Sequence, residues 1–262
     1  MRPPRREGTR RGIPLRTVVP NAVTALALCV GLTGVRFAIA GEWDRAALAI
    51  FVAAILDGLD GRIARMLKGQ SRFGAELDSL SDVIAFGVSP AIILHLWSLQ
   101  FWPRVGWVFA LAYAVCAALR LARFNAMIDV DEQPHKSAGF LTGVPAPAGA
   151  GLVLLPLFLW LASDREWDLL KEIYVTAPWA ALVAFLMISN LATFSWGSLR
   201  LRSHVRLWAL AVIAIVFAAL LTAPWHTLSV AAILYAATIP FSILSYAKVR
   251  RRRAAAAAPA LH

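Results

Sequence analysis

Asp57-Gly58-Leu59-Asp60-Gly61-Arg62-Ile63-Ala64-Arg65 closes one long apolar segment, and Ser71-Arg72-Phe73-Gly74-Ala75-Glu76-Leu77-Asp78-Ser79-Leu80-Ser81-Asp82 opens the next. Each segment has roughly the 20 residues a helix needs to cross a bilayer. Four aspartates therefore stand at the adjoining ends of two consecutive candidate membrane helices. A carboxylate deep in a bilayer costs about 2.5–3.5 kcal/mol on insertion scales. Four without compensation cost on the order of 10 kcal/mol, comparable with the stability of a whole domain. Something must offset that cost.

The spacing indicates what. Asp57 and Asp60 stand at i and i+3, on one helix face that Gly61 and Ala64 continue, with Arg65 near it. Asp78 and Asp82 stand at i and i+4, with Gly74 one turn earlier. A short basic turn joins the two helices, which predicts antiparallel neighbours whose acidic faces meet. Facing carboxylates repel one another, and a divalent cation removes the conflict. An all-oxygen ligand set without His or Cys suits Mg²⁺ or Mn²⁺ rather than zinc. Four carboxylates can hold two such ions, an arrangement suited to in-line displacement at phosphorus. Gly61, Ala64 and Gly74 leave room for a ligand, and Arg65 offers a planar donor fork for phosphate oxygens. The competing reading is that the charges snorkel to the interface and the small residues serve helix packing alone. It suits one aspartate better than the whole constellation.

The rest of the chain agrees with a membrane setting. Of 262 residues, 60% are hydrophobic and 16% charged, with a mean hydropathy of +0.67. Soluble domains run at about 45–50% and about 25%, so soluble, disordered and disulfide-scaffold classes are excluded. Eight apolar segments predict helices, at 18–40, 46–64, 77–99, 105–121, 144–162, 174–192, 207–222 and 228–246. The fold class is an all-α, polytopic integral membrane helix bundle. The fifth segment contains Pro145, Pro147 and Pro156. No internal repeat is visible, and the first block lacks the small-residue cleavage site of a removable signal peptide. Cys29 and Cys116 lie inside apolar blocks and read as packing residues. The organisation is a basic arm over 1–17, a membrane core over 18–200, additional membrane helices over 201–247 and a basic, irregular tail over 248–262.

Basic residues set the orientation. Twenty of the 26 lysines and arginines fall on the arm, the tail and the loops after the second, fourth and sixth helices. Only Arg45, Arg104, Arg165 and Lys171 fall on the opposite side. Both termini and the aspartate cluster are thus expected on the cytoplasmic face of the cell membrane, which requires an even number of spans. The net charge of +11 reflects this topology and attraction to anionic lipid, with no nucleic-acid partner. Tryptophans cluster near helix ends as an aromatic belt. His95 lies about 220° round an ideal helix from Asp82 and is expected to face elsewhere. The loop Asp129–Lys136 reads as a connector, with a mobile cover as the alternative.

The spacing D-x2-D-G-x2-A-R-x8-G-x3-D-x3-D, carried by Asp57, Asp60, Gly61, Ala64, Arg65, Gly74, Asp78 and Asp82, resembles the signature of the CDP-alcohol phosphatidyltransferases at every fixed position. Pro20-Asn21-Ala22-Val23-Thr24 is similar to the PNxxT segment that opens the family's first helix. Arg120-Leu121-Ala122-Arg123-Phe124-Asn125 and Gly143-Val144-Pro145-Ala146-Pro147 resemble the RLARFN and GLPxP segments of its serine-using branch. The likeness covers roughly the first 150 residues. Ser189–Ser195 is only loosely similar to a further stretch of that branch, and the last two helices carry no motif.

The resemblance implies transfer of a phosphatidyl group from CDP-diacylglycerol to L-serine, with release of CMP. It implies that Asp57, Asp60 and Asp78 hold one divalent ion, and Asp57, Asp78 and Asp82 the other. It makes Asp82 the general base, and assigns Asn21, Gly61, Ala64, Arg65 and Gly74 to the CDP moiety. Membrane lipid as a partner and a homodimer come with it. The acceptor's carboxylate calls for a cation, and Arg120 and Arg123, three apart, are the candidates. Anchoring the end of the fourth helix is their alternative role. Glycerol 3-phosphate or inositol phosphate would suit the same arginines, so only the motif likeness favours serine. An ion-coupled transporter is the reading from another class. It would call for broken helices in two related halves, which this chain does not display.

Overall fold

The computed structural model describes residues 15–126, 140–189, 191–194 and 206–257. The basic arm up to residue 14, the 129–136 loop with Lys136, Arg200 and Arg202, and Asn190 and Ser195 lie outside the described residues. The helices are α1 (Leu15–Ile39), α2 (Trp43–Met66), α3 (Arg72–Asp82), α4 (Ser89–Trp97), α5 (Pro103–Ala126), α6 (Ala146–Val153), α7 (Leu155–Ala162), α8 (Ile173–Ile188), α9 (Arg206–Thr222) and α10 (Pro224–Ala257). A π-helical turn, Val83–Val88, joins α3 to α4. Two three-residue strands, β1 (Phe140–Thr142) and β2 (Ala192–Phe194), pair antiparallel with Phe140 opposite Phe194.

The protein is an all-helical membrane bundle, and each of the eight predicted segments falls on helix. By length and composition, Leu15–Ile39, Arg72–Trp97 and Arg104–Ala126 are long and apolar enough to cross a membrane. Ile173–Ile188 and Leu207–Thr222 are shorter apolar helices. Hydrogen bonds tie the helices together at two opposite ends. At one, Ser98 Oγ meets Lys171 O and Thr176 Oγ1, both at 2.6 Å, and Arg165 pairs with Asp44. At the other, Thr24 meets Asp60, Asn125 meets Ser79, and Arg123 meets Ile188 and Ser189. This is the up-and-down order that short connections between consecutive helices produce.

Three local expectations are corrected. The fifth segment is split at Leu154 into α6 and α7. Pro156 has no N–H for the carbonyl of Leu152, and Trp179 Nε1 donates to that oxygen at 2.7 Å. The sixth segment stops as helix at Ile188 rather than 192, with Ser189 extended and β2 following. The tail expected to be irregular continues α10 through the Arg250–Arg253 run to Ala257. Alanines 254–257 are the strongest helix formers available there.

Small residues hold the bundle close, as lipid supplies little hydrophobic force between helices. The buried stripe of α1 is Pro20, Thr24, Ala27, Gly31, Gly34 and Ala38, and α2 presents Ala46, Ala49, Ile50 and Ala53. Around the π turn, a Cβ on Gly31 would lie 2.9 Å from Ala85 Cβ and 3.0 Å from its Cα. On the turn's other side, a Cβ on Gly87 would lie 3.1 Å from Ala117 Cβ in α5. Tyr113 of α5, fully buried, donates to Phe86 O at 2.9 Å. The turn that follows Asp82 is thus gripped from both sides. Gly31→Ala is expected to destabilise the protein by about 1–3 kcal/mol through overpacking, read as a lower thermal midpoint in detergent. Adding Ala85→Gly should recover part of the loss.

Candidate active site

The aspartates converge. Asp57, Asp60 and Asp78 each offer a carboxylate oxygen, and the three oxygens lie within 4.8 Å of one another. Asp60 is buried, at 5% exposure. Asp82 completes the group. It interacts electrostatically with Asp57 and Asp78, and among the described residues its buried Oδ1 has no hydrogen-bond partner. Two carboxyl groups in contact need a shared proton or a cation between them, and a buried oxygen without a donor needs a ligand. Three converging carboxylates, with the buried Oδ1 of Asp82 on the same helix as Asp78, fit a hard divalent cation.

The way the helices bring them together differs from the sequence expectation. α2 and α3 are not closely packed neighbours, and both lean on α1 instead. Thr24 of α1 donates its hydroxyl to Asp60 Oδ2 at 2.5 Å, and Ser81 of α3 donates to Thr24 O at 3.3 Å. The acidic side chains meet, while the two helix backbones make little direct contact and share α1 as a common support. Sequence reasoning missed these roles of Thr24 and Ser81. The one sequence signal was the place of Thr24 in the Pro20–Thr24 segment, one turn beyond Pro20; its burial is visible only in the structure.

A groove of about 290 Å³ opens beside the cluster. It is lined by Asn21, Thr24, Asp60, Gly61, Ala64, Arg65, Gly74 and Asp78, together with the 69–71 turn. All five residues expected at the CDP moiety thus border one cavity. Gly74 brings the α3 backbone close to Asn21: a Cβ would come 2.7 Å from Asn21 Oδ1, so that side chain would have to shift. Ser71 caps α3 by accepting from Gly74 N at 3.0 Å. Gly61 faces open space, with Arg65 Nη1 the nearest atom to an added Cβ at 3.7 Å.

The two arginines of α5 have different surroundings. Arg120 is half-buried and within electrostatic range of Asp82. Among the described residues its Nε has no hydrogen-bond partner, and its guanidinium lies 5.8 Å from the centre of the Phe124 ring. Arg123 donates to Ile188 O at 2.7 Å and to Ser189 O at 3.1 Å, at the C-terminal end of α8. Those carbonyls are the unsatisfied groups of a helix end. Gly143 joins this corner with φ +72, and a Cβ on it would lie 2.8 Å from Met187 O. Asn125 Nδ2 donates to Ser79 Oγ at 2.8 Å, tying α5 to α3. His95 is held away from the cluster, edge-on to Trp107 at 5.3 Å.

Residues 17–188 match the family model described as CDP-alcohol phosphatidyltransferase. The chain belongs to the CDP-alcohol phosphatidyltransferase family. A second model, CDP-alcohol phosphatidyltransferase 2, matches residues 204–240, where the sequence offered no motif. A Mycobacterium bovis protein named CDP-diacylglycerol–serine O-phosphatidyltransferase is 41% identical over 236 residues, covering 90% of this chain and 81% of the relative. One of the same name from Mycobacterium leprae is 40% identical, covering 91% and 78%. A third, from Bacillus subtilis, is 35% identical over 52% of this chain and 74% of its own. In this transferase, Thr24→Val is expected to weaken Mn²⁺ binding by about tenfold, as loss of an outer-shell partner of a ligand does. Calorimetric titration reads this directly, and Thr24→Ser should retain near-normal affinity.

Proposed function

We propose that the protein is a phosphatidylserine synthase, transferring the phosphatidyl group of CDP-diacylglycerol to L-serine with release of CMP. What carries this reading is the convergence of Asp57, Asp60 and Asp78, with Asp82 against Asp57, beside a groove in a family transferase. The names of its relatives support serine as the acceptor.

Asp57, Asp60 and Asp78 would hold one divalent ion, and Asp57, Asp78 and Asp82 a second. Bound there, Mg²⁺ or Mn²⁺ would supply positive charge to the phosphoryl oxygens as charge develops on the attacking and leaving atoms. Arg65 binds phosphate oxygens, while Asn21, Gly61, Ala64 and Gly74 shape the groove for the nucleotide. Asp82 takes the proton of the serine hydroxyl as that oxygen bonds to phosphorus and the bond to CMP breaks. Arg120 receives the carboxylate of serine. Arg123, proposed from sequence for the same task, serves it indirectly by holding α5 on the end of α8.

The site lies at the membrane end where α1 and α3 begin and α2 and α5 finish. With basic residues concentrated on that side, we place both termini and the site on the cytoplasmic face of the cell membrane. There water-soluble serine and CMP exchange while the acyl chains stay in lipid. The core is residues 18–200, followed by two further membrane helices and a basic tail. A homodimer is the expected assembly.

CMP release from CDP-diacylglycerol by the purified protein tests the reaction. It should require serine and Mg²⁺ or Mn²⁺, and fall to background in Asp82→Asn. A panel containing glycerol 3-phosphate and inositol phosphate tests the acceptor, since faster release with either would displace serine. Arg120→Ala should raise the serine KM by at least tenfold with a smaller effect on the KM for CDP-diacylglycerol. An unchanged serine KM would remove Arg120 from the acceptor site.

A further inference from the structure

We propose that the apolar cleft between α2, α6 and α10 seats one acyl chain of the lipid substrate, so that the last helix helps to select and align that chain. This rests on the reading of CDP-diacylglycerol as the donor.

The cleft has a volume of about 200 Å³. An apolar cavity of about 150 Å³ already takes a benzene-sized guest, so this one has room for a run of several methylenes. In the up-and-down order of the bundle, α2 and α10 run towards the end that holds the aspartates, and α6 and α7 run away from it. Ala54, Ala148 and Ala232 therefore mark the end of the cleft near the site, and Ile50, Phe158 and Leu228 the end deeper in the membrane. Small residues stand at the entrance and bulky ones at the floor.

One face of α2 joins the cleft to the site. Ile50, Ala54, Asp57 and Gly61 follow the i, i+4, i+7, i+11 spacing of a single face. Ile50 and Ala54 line the cleft, Asp57 lies about 4.5 Å beyond Ala54 along the helix, and Gly61 borders the groove assigned to the nucleotide. Cleft, carboxylate and groove thus succeed one another in the order of acyl chain, phosphate and cytidine in the substrate. Gly151 of α6 also lines the cleft, and a Cβ on it would meet no atom within 4 Å. Alanine is the better helix former at such a position, and the protein's own packing does not require glycine there, so its small size leaves volume for a guest. Lipid tails are as apolar as these walls, so a seated chain gains packing rather than escape from water. Its use is orientation: a chain held in the cleft fixes the glycerol arm and with it the phosphate.

The test is CMP release by the full-length protein at saturating serine and Mn²⁺, with dioleoyl and dibutanoyl CDP-diacylglycerol presented in the same detergent micelles. Gly151→Leu extends a side chain into open space from α6, and Ala232→Leu narrows the cleft from α10. Each is expected to lower kcat/KM for the dioleoyl substrate about tenfold, because a chain that cannot seat leaves the phosphate out of position. The dibutanoyl substrate, whose chains end before Gly151, should stay within about twofold of its wild-type value. Gly151→Ala adds a single methyl group and should stay within about twofold on both substrates. Wild-type kcat/KM on the dioleoyl substrate in both leucine variants overturns this proposal alone. An equal loss on the two substrates also overturns it, because that marks a packing role. A wild type that releases no CMP from either substrate overturns it together with the donor reading.

Discussion

Carboxylates gathered inside a helix bundle cannot all stay charged without a counter-charge, and the architecture around them answers that requirement. Asp57, Asp60 and Asp78 bring oxygens within 4.8 Å of one another while their two helices are kept from packing closely. The spacing comes from α1. Its Thr24 takes one oxygen of Asp60, and its backbone receives Ser81. A helix with no acidic residue of its own therefore supports both helices that carry the four clustered aspartates.

The rest of the inner end is fastened in the same indirect manner. The RLARFN segment distributes its polar groups among three neighbours: Arg120 towards Asp82, Arg123 to the end of α8, and Asn125 to Ser79. Just beyond Asp82, the π turn sits between Gly31–Ala85 and Gly87–Ala117 contacts. A π turn shifts the backbone ladder to i→i+5, as in Ser89 N to Ile84 O, and such turns recur at functional sites. Pro90, four residues after Phe86, has no N–H, and Tyr113 donates to the Phe86 carbonyl. The site thus rests on close backbone approaches through glycine and alanine, which suits a setting where packing, not water exclusion, drives helix association.

Much of this was legible before any coordinates. The aspartate spacing identified the cluster because charge in an apolar segment is costly and therefore informative. Gly61, Ala64, Arg65 and Gly74 were legible with it, and all four border the groove. The helical segments followed from hydropathy alone. Other features depend on contacts between distant segments, which periodicity cannot report. The packing of both α2 and α3 on α1 is one, and the role of Arg123 as a helix-end donor is another. The break at Leu154 had a local cause in Pro156, yet its tolerance depends on Trp179, which lies 23 residues further on. The π turn has no simple sequence mark, so angular arguments that run through it, such as that for His95, hold only by outcome.

The sparse contact between α2 and α3 has a consequence for cohesion. Where two helices have little apolar surface in common, a cation shared by their side chains acts as a cross-link. Any species that binds the assembled bundle and not the unfolded chain adds RT ln(1 + [L]/Kd) to its stability. The ion that fits between Asp57 and Asp78 would then fasten the inner end of the bundle as well as serve the reaction. Chelation would loosen the scaffold at the same point where it silences the chemistry.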